Sequence, residues 1–326
     1  MSMPANDRLD TVLLLALPAS GKSEVRTYMA SVAAAVSARD FHVDASAQLD
    51  DFPYVHVMRR IDEVLAFGGV APIFFRAGDQ PFGDARDWGT LVELVNDDYA
   101  DLVARRATGR PMAATALFER IDRARTRVGA PAALGALDGA VRARLCDALE
   151  REARQLADDK DALCAAGREG KTVVIEFARG GADGSAMPLA APYGYAYSLA
   201  QLSPTILARA VVLYIWVTPE ESRRKNEART DPNDPGSILH HSVPIAVMRG
   251  EYGCDDMAYL VEHAERPGTL TVTAHGNTYH LPVARFDNRV DKTSFVREPR
   301  ERWSADDVTA LHQGLAAAFG ALAGRD

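Results

Sequence analysis

The sequence predicts an α/β fold: a three-layer parallel sheet with a large helical insertion and a β-hairpin near the C-terminus. Three observations carry this. Continuous apolar runs, as strands buried on both faces require, occur at Thr11–Ala16, Lys171–Phe177 and Ala210–Thr218. Segments of helical spacing alternate with them. The string "GTLTVTAHGNTYHLPVARF" reads as a hairpin turning at His275–Asn277, followed by a last core strand.

In chain order, the first apolar run leads through a small-residue loop into a helix over Lys22–Ala38. Phe41–Asp44 reads as a short second strand. From about residue 45 to 170 the pattern is mostly helical. Leu91, Val95, Tyr99 and Leu102 recur at near-helical spacing, as do Val141, Leu145, Leu149 and Leu156. Gly129–Gly135, with Pro131 inside, marks a break between helices. Pro219 suits the start of the helix that follows the third apolar run. Thr230–Ser237, with two prolines and a glycine, is a loop, and Trp303–Ala323 a closing helix. There is no internal repeat, so residues 1–326 read as a single domain.

Composition bounds the function. The 326 residues are 47% hydrophobic and 25% charged, as in a soluble globular chain. Acids outnumber Lys and Arg 45 to 37, a formal charge of −8, which argues against extended nucleic-acid binding. Three cysteines, Cys146, Cys164 and Cys254, form no CxxC pair, as expected of reduced thiols without a zinc site. No apolar run is long enough to cross a bilayer, and the N-terminus lacks a basic leader, so the expectation is a cytoplasmic protein with no membrane partner. A homodimer is compatible with this reading.

The string Ala16-Leu17-Pro18-Ala19-Ser20-Gly21-Lys22-Ser23 sits between a strand and a helix. Polyphosphate binding needs inward backbone N–H groups with a helix N-terminus behind them. Gly21 allows close backbone approach, Lys22 supplies a cation for the β- and γ-phosphates, and Ser23 offers a hydroxyl to Mg²⁺. Ala16 stands where the usual pattern has its first glycine; it needs ordinary φ/ψ there. The competing reading is a Gly-Lys-Ser turn that merely opens a helix.

This loop is similar to that of the P-loop kinases of small metabolites and nucleotides, the adenylate kinase and deoxynucleoside kinase group. The resemblance is strong over residues 11–30 and extends to three later patches. It implies a P-loop NTPase fold with ATP and Mg²⁺ as cofactors, a small-molecule acceptor and a lid-like region at about 219–280. In "VVIEFARGG" it implies that Arg179 faces the acceptor and that Glu176 serves Mg²⁺ or acts as a base; a surface ion pair is the alternative. In "YIWVTPEESRRKNEAR" it implies a lid helix whose arginines clamp the transferring phosphoryl group. Arg223, Arg224 and Arg229 are the candidates, against a solvated face held by i,i+4 pairs. In "ARFDNRVDKT" it implies a loop on the adenine, with Asn288 between Asp287 and Arg289; a polar turn is the alternative. Kinases of this group commonly keep an acid after an early strand for the acceptor hydroxyl; Asp44 is the choice here, ahead of Asp50–Asp51, and a helix-capping Asp is its alternative.

Two stretches lie outside the resemblance. Phe74–Gly89, with Arg76, Asp79, Gln80 and Trp88, either walls the acceptor pocket or is a loop anchored by its aromatics. The adjacent histidines of "ILHHSVP" diverge on any regular element and are structural or substrate-contacting before they are zinc ligands. The leading expectation is therefore an ATP-dependent phosphotransferase. The alternatives are a P-loop ATPase that switches a protein partner and a degenerate nucleotide-binding scaffold with no turnover.

Overall fold

The computed structural model describes residues 8–107, 111–228 and 242–324. Its centre is a six-stranded sheet. Thr11–Leu15 is β1, Ser46–Asp50 β2, Thr172–Phe177 β3, Ala210–Trp216 β4, Thr269–Ala274 β5 and Asn277–Asp287 β6. The strand order is β2-β3-β1-β4-β6-β5. All pairs are parallel except β5 with β6. The hairpin turns at His275–Gly276, with φ 52° and 74°. Left-handed backbone at both central residues gives the turn whose twist matches its strands. β6 then runs on, unbroken, as a core strand beside β4.

Period-two alternation splits β1 between two cores. Leu13 and Leu15 face one side; Val12 and Leu14 face the other. Helices α1 (Lys22–Ser31), α2 (Ala34–Phe41) and α12 (Ala305–Ala323) cover the second side through Val25, Tyr28, Phe41, Leu311, Leu315 and Phe319. Helices α4 (Asp87–Ala104), α7 (Gly194–Ala200), α8 (Pro204–Leu207) and α11 (Met257–Glu262) cover the first. The result is three layers, helix–sheet–helix.

A third core lies beside the sheet. Helix α3 (Phe52–Phe67) packs with α4, α5 (Ala113–Arg127), α6 (Gly139–Ala166) and α10 (Ile245–Glu251) around Tyr54, Phe74, Phe118 and Leu145. Its α3–α6 form the expected helical insertion, and α10 joins them from later in the chain. Gly129–Gly135 falls between α5 and α6, as its Gly/Pro content predicts. Helix α9 (Pro219–Ala228) follows β4 and begins at Pro219.

Two expectations are corrected. The single helix over Lys22–Ala38 is two, parted at Val32–Ala33, where the backbone turns extended. Phe41–Asp44 is no strand: Phe41 ends α2, and the strand begins at Ser46. Among the described residues no helix is long and apolar enough to cross a membrane.

Candidate functional site

The 16–23 loop joins β1 to α1 at the carboxyl edge of the parallel strands, where open α/β sheets take their ligands. Ala19 (φ 55°) and Gly21 (φ 103°) are left-handed, and Ala16 is not. Glycine is thus unnecessary at position 16. The alternating backbone curls the chain into a concave nest of amides. The N–H groups of Ala19, Ser20 and Gly21 meet no acceptor among the described residues, although all three residues are buried. Buried orphan donors are rare, and here they line one concave turn at a helix start. Lys22 is only 8% exposed, and its Nζ donates to the carbonyls of Ala16 and Leu17 at 3.3 Å. The ammonium folds back over the loop.

Two later segments brace this loop. Ser222 of α9 donates its hydroxyl to Pro18 O at 2.7 Å. Asn288 Nδ2 donates to Ser20 O at 2.8 Å and to Thr293 Oγ1 at 2.9 Å, while its Oδ1 accepts from Lys292 N. The side chain of Asn288 is therefore spent on shaping the loop. A Cβ on Gly21 would stand 2.5 Å from Thr293 Oγ1, so the brace also dictates glycine there.

Beyond the loop lies a carboxylate pair. Asp50 ends β2 directly opposite Glu176 of β3. Arg26, one turn along α1 from Lys22 and Ser23, reaches both: Nη1 is 2.8 Å from Glu176 Oε2 and 3.5 Å from Asp50 Oδ2. Burial, then the charges of Glu176 and Asp51, push the Asp50 carboxyl up to about 7. An Asp poised near neutrality at the same carboxyl edge of the sheet as the loop can take a proton from a hydroxyl. Ser23 and Glu176 are the sequence's metal candidates. No group of three or more His, Cys, Asp or Glu side chains is arranged to hold a metal among the described residues.

Several expected site residues stand elsewhere. Asp44 precedes β2, so it lies at the amino edge of the sheet, opposite the loop; the one-element slip in reading β2 put it at the wrong end. Arg179 is 2% exposed and fully engaged. Its Nη1 meets Asp51 Oδ2 at 2.6 Å, its Nε donates to Ser198 Oγ at 3.1 Å, and its guanidinium lies over Trp88 and Phe177. It is a hub joining β3 to the insertion, not a free cation facing an acceptor. Arg224 is exposed and held by Glu221 at 2.6 and 2.7 Å, with Asp291 of the loop after β6 at 3.8 Å. Arg223 pairs with Glu220 and Asp183. Arg229, His240 and His241 lie outside the described residues.

The 74–89 stretch is anchored by its aromatics. Phe75 and Phe82 stack at 4.5 Å, Phe82 meets Trp88 edge-on, and Trp88 meets Tyr252 likewise. Trp88 Nε1 donates to Glu251 Oε1 at 3.2 Å, and burial pushes Glu251 up to about 7. Arg76 and Asp79 point outward and are exposed. Sequence reasoning missed Arg26 and Glu251. Arg26 had a signal, its i+3 and i+4 spacing from Ser23 and Lys22; Glu251 had none.

Compared with protein-family models, curated proteins and solved structures, the chain matches none.

Proposed function

We propose that this chain is an ATP-dependent phosphotransferase of the P-loop kind, acting on a hydroxyl of a small metabolite, nucleoside or nucleotide. The observation that carries the reading is the nest at Ala19–Gly21, three buried residues whose N–H groups meet no acceptor among the described residues, with the Lys22 ammonium beside it. A polyphosphate supplies what those donors lack. ATP with Mg²⁺ would be held by the backbone of residues 18–23, by Lys22 and by the Ser23 hydroxyl, and it supplies the activated phosphoryl group. Asp50 orients the acceptor hydroxyl and receives its proton. Arg26 keeps Asp50 and Glu176 together without neutralising either fully. Arg224 stands on α9, which touches the loop through Ser222, and is the cation best placed to swing toward transferring charge. The engagement of Arg179 by Asp51 favours a hydroxyl over a phosphate as acceptor, because among the described residues the arginines nearest Asp50, Arg26 and Arg179, are already paired.

The test is ADP formation by the purified protein, alone and with fractions of a metabolite pool. Low hydrolysis alone, stimulated by a small-molecule fraction, is expected. Lys22→Ala should weaken ATP binding roughly tenfold or more, since one charge-assisted contact is worth about 1.5–3 kcal/mol. High hydrolysis stimulated by a protein fraction alone would instead make the chain a switch ATPase.

A further inference from the structure

Away from the 16–23 loop, helices α4, α5 and α6 and the first turn of α3 enclose a cleft of about 350 Å³. That is the size of small-molecule sites. Its floor is apolar and low, built from Ala100, Ala116, Ala153 and Ala157 with Leu117 and Leu156. Small side chains on three facing helices leave a flat slot. Five cations line the walls, Arg106, Arg120, Arg123, Arg127 and Lys160, against two lining carboxylates, Asp97 and Asp101.

The nearby acids are committed. Asp101 takes Arg106 at 3.1 Å, and Asp97 and Glu93 take Arg127 at 3.0 and 2.6 Å. Asp98, just behind the wall, accepts from Arg120 at 2.6 Å, from Lys160 and from the Tyr54 hydroxyl. Arg123 and the Nε of Arg120 are the least engaged of these donors. Arg123 is exposed at the cleft's rim and has no ion pair or hydrogen bond among the described residues. Arg120 is 9% exposed; its Nε makes no hydrogen bond, with Asp97 Oδ2 at 3.7 Å and, at Nη1, Asp101 Oδ2 at 3.6 Å the longer ion pairs around it. A buried cationic donor without an acceptor is costly unless something else accepts from it.

We propose that this cleft is a second ligand site, specific for a small amphipathic anion: one acidic group on a flat apolar body. The acidic group meets Arg120 and Arg123, and the apolar body lies on the alanine floor. This does not rest on the phosphotransferase reading, because no residue of the cleft belongs to the phosphate loop or the carboxylate pair.

The probe is anilinonaphthalene sulfonate, followed by fluorescence titration of the full chain. Saturable binding to a single site is expected for wild type and equally for Lys22→Ala. Arg123→Glu should weaken it roughly tenfold or more, the worth of one charge-assisted contact. Ala157→Trp, which fills the slot, should abolish it. The uncharged analogue phenylnaphthylamine should bind at least tenfold more weakly. Absence of saturable binding to wild type overturns the proposal, as does unchanged affinity in Arg123→Glu. Loss of binding in Lys22→Ala also overturns it, since the dye would then sit at the phosphate loop. Equal binding of the uncharged analogue overturns the anion specificity. Should Ala157→Trp fail to fold, Arg123→Glu, a surface change, decides alone.

Discussion

At the residue scale, two neighbours in the 16–23 loop have left-handed backbone and opposite expectations. Ala19 carries a Cβ at φ 55°, a conformation that costs an L-residue about 1–2 kcal/mol. Ala19→Gly relieves that strain but adds about 0.5–1 kcal/mol of unfolded-chain entropy. Denaturant titration should therefore find it neutral or slightly stabilising. Gly21→Ala combines φ 103° with a Cβ 2.5 Å from Thr293 Oγ1. It should destabilise by at least about 1–2 kcal/mol and pull Thr293 from Asn288. Equal melting of the two variants would contradict the loop conformation described here. Asp50 makes a sharper prediction. Its folded pKa, raised to about 7 by burial and by Glu176 and Asp51, means the folded protein holds a proton that the unfolded chain releases near pH 4. Stability from this group is complete at low pH and lost as pH rises through about 7. Asp50→Asn should thus melt above wild type near pH 8, and the difference should vanish below about pH 4. The same variant should lose about 10²–10⁴ of the acceptor-stimulated rate. A stable but fully active variant would remove Asp50 from the chemistry.

At the element scale, α9 shows how one short helix divides its labour. Lys225 is 1% exposed and lies 2.9 Å from Asp291 Oδ1. Although burial raises the Asp291 carboxyl, hydrogen bonding by Ser294 and the Lys225 charge hold it well below the usual carboxylate range. The pair ties α9 to the loop after β6, and both segments brace the phosphate loop. Lys225→Met should cost about 1–3 kcal/mol by leaving Asp291 without its cation. Arg224→Ala, an exposed i,i+3 pair with Glu221, should change stability by at most about 0.5 kcal/mol. A fall in kcat on Arg224→Ala at unchanged melting temperature would therefore report a clamp, whereas unchanged turnover reduces Arg224 to a solvated face. Legibility follows the same lines. β1, β3 and β4 were readable because strands buried on both faces must be continuously apolar, and the hairpin because His275–Gly276 carries its turn chemistry. β2 was not: it is an edge strand whose burial rests on Ala47 and Leu49 alone, too little signal to fix its register. That slip moved the acid from Asp50 to Asp44. The break at Val32–Ala33 carries no glycine or proline, so nothing announced it. Arg179 looked like a substrate cation because its partners, Asp51, Trp88 and Ser198, are distant in sequence and converge only in the fold.

At the scale of the whole molecule, the buried carboxyls set how stability responds to pH. Asp50 and Glu251 are pushed to about 7 and Asp255 to about 6, in each case chiefly by burial. Hydrogen bonds from Trp88 to Glu251 and from Tyr214 to Asp255, at 3.2 and 2.7 Å, only partly offset it. These three sit in different places: Asp50 at the sheet edge, Glu251 on α10 packed against the insertion, Asp255 before α11. Their effects should add, since they share no partner. The carboxyls shifted the other way do not compete in this range. Asp287, lowered to about 2 by Arg289, and Asp40, lowered by Arg39 and His312, exchange protons only in strong acid. Each raised group binds a proton in the folded state that the unfolded chain has already released, so unfolding is favoured progressively as pH climbs. The melting temperature should therefore be highest near about pH 4 and fall as pH rises toward about 7, and Glu251→Gln should reduce that slope by removing one contributor. A melting temperature that is flat or rising over the same range would mean that these carboxyls are ionised in the folded protein. Asp50 would then sit with Arg26 as a plain ion pair rather than a base poised to take a proton.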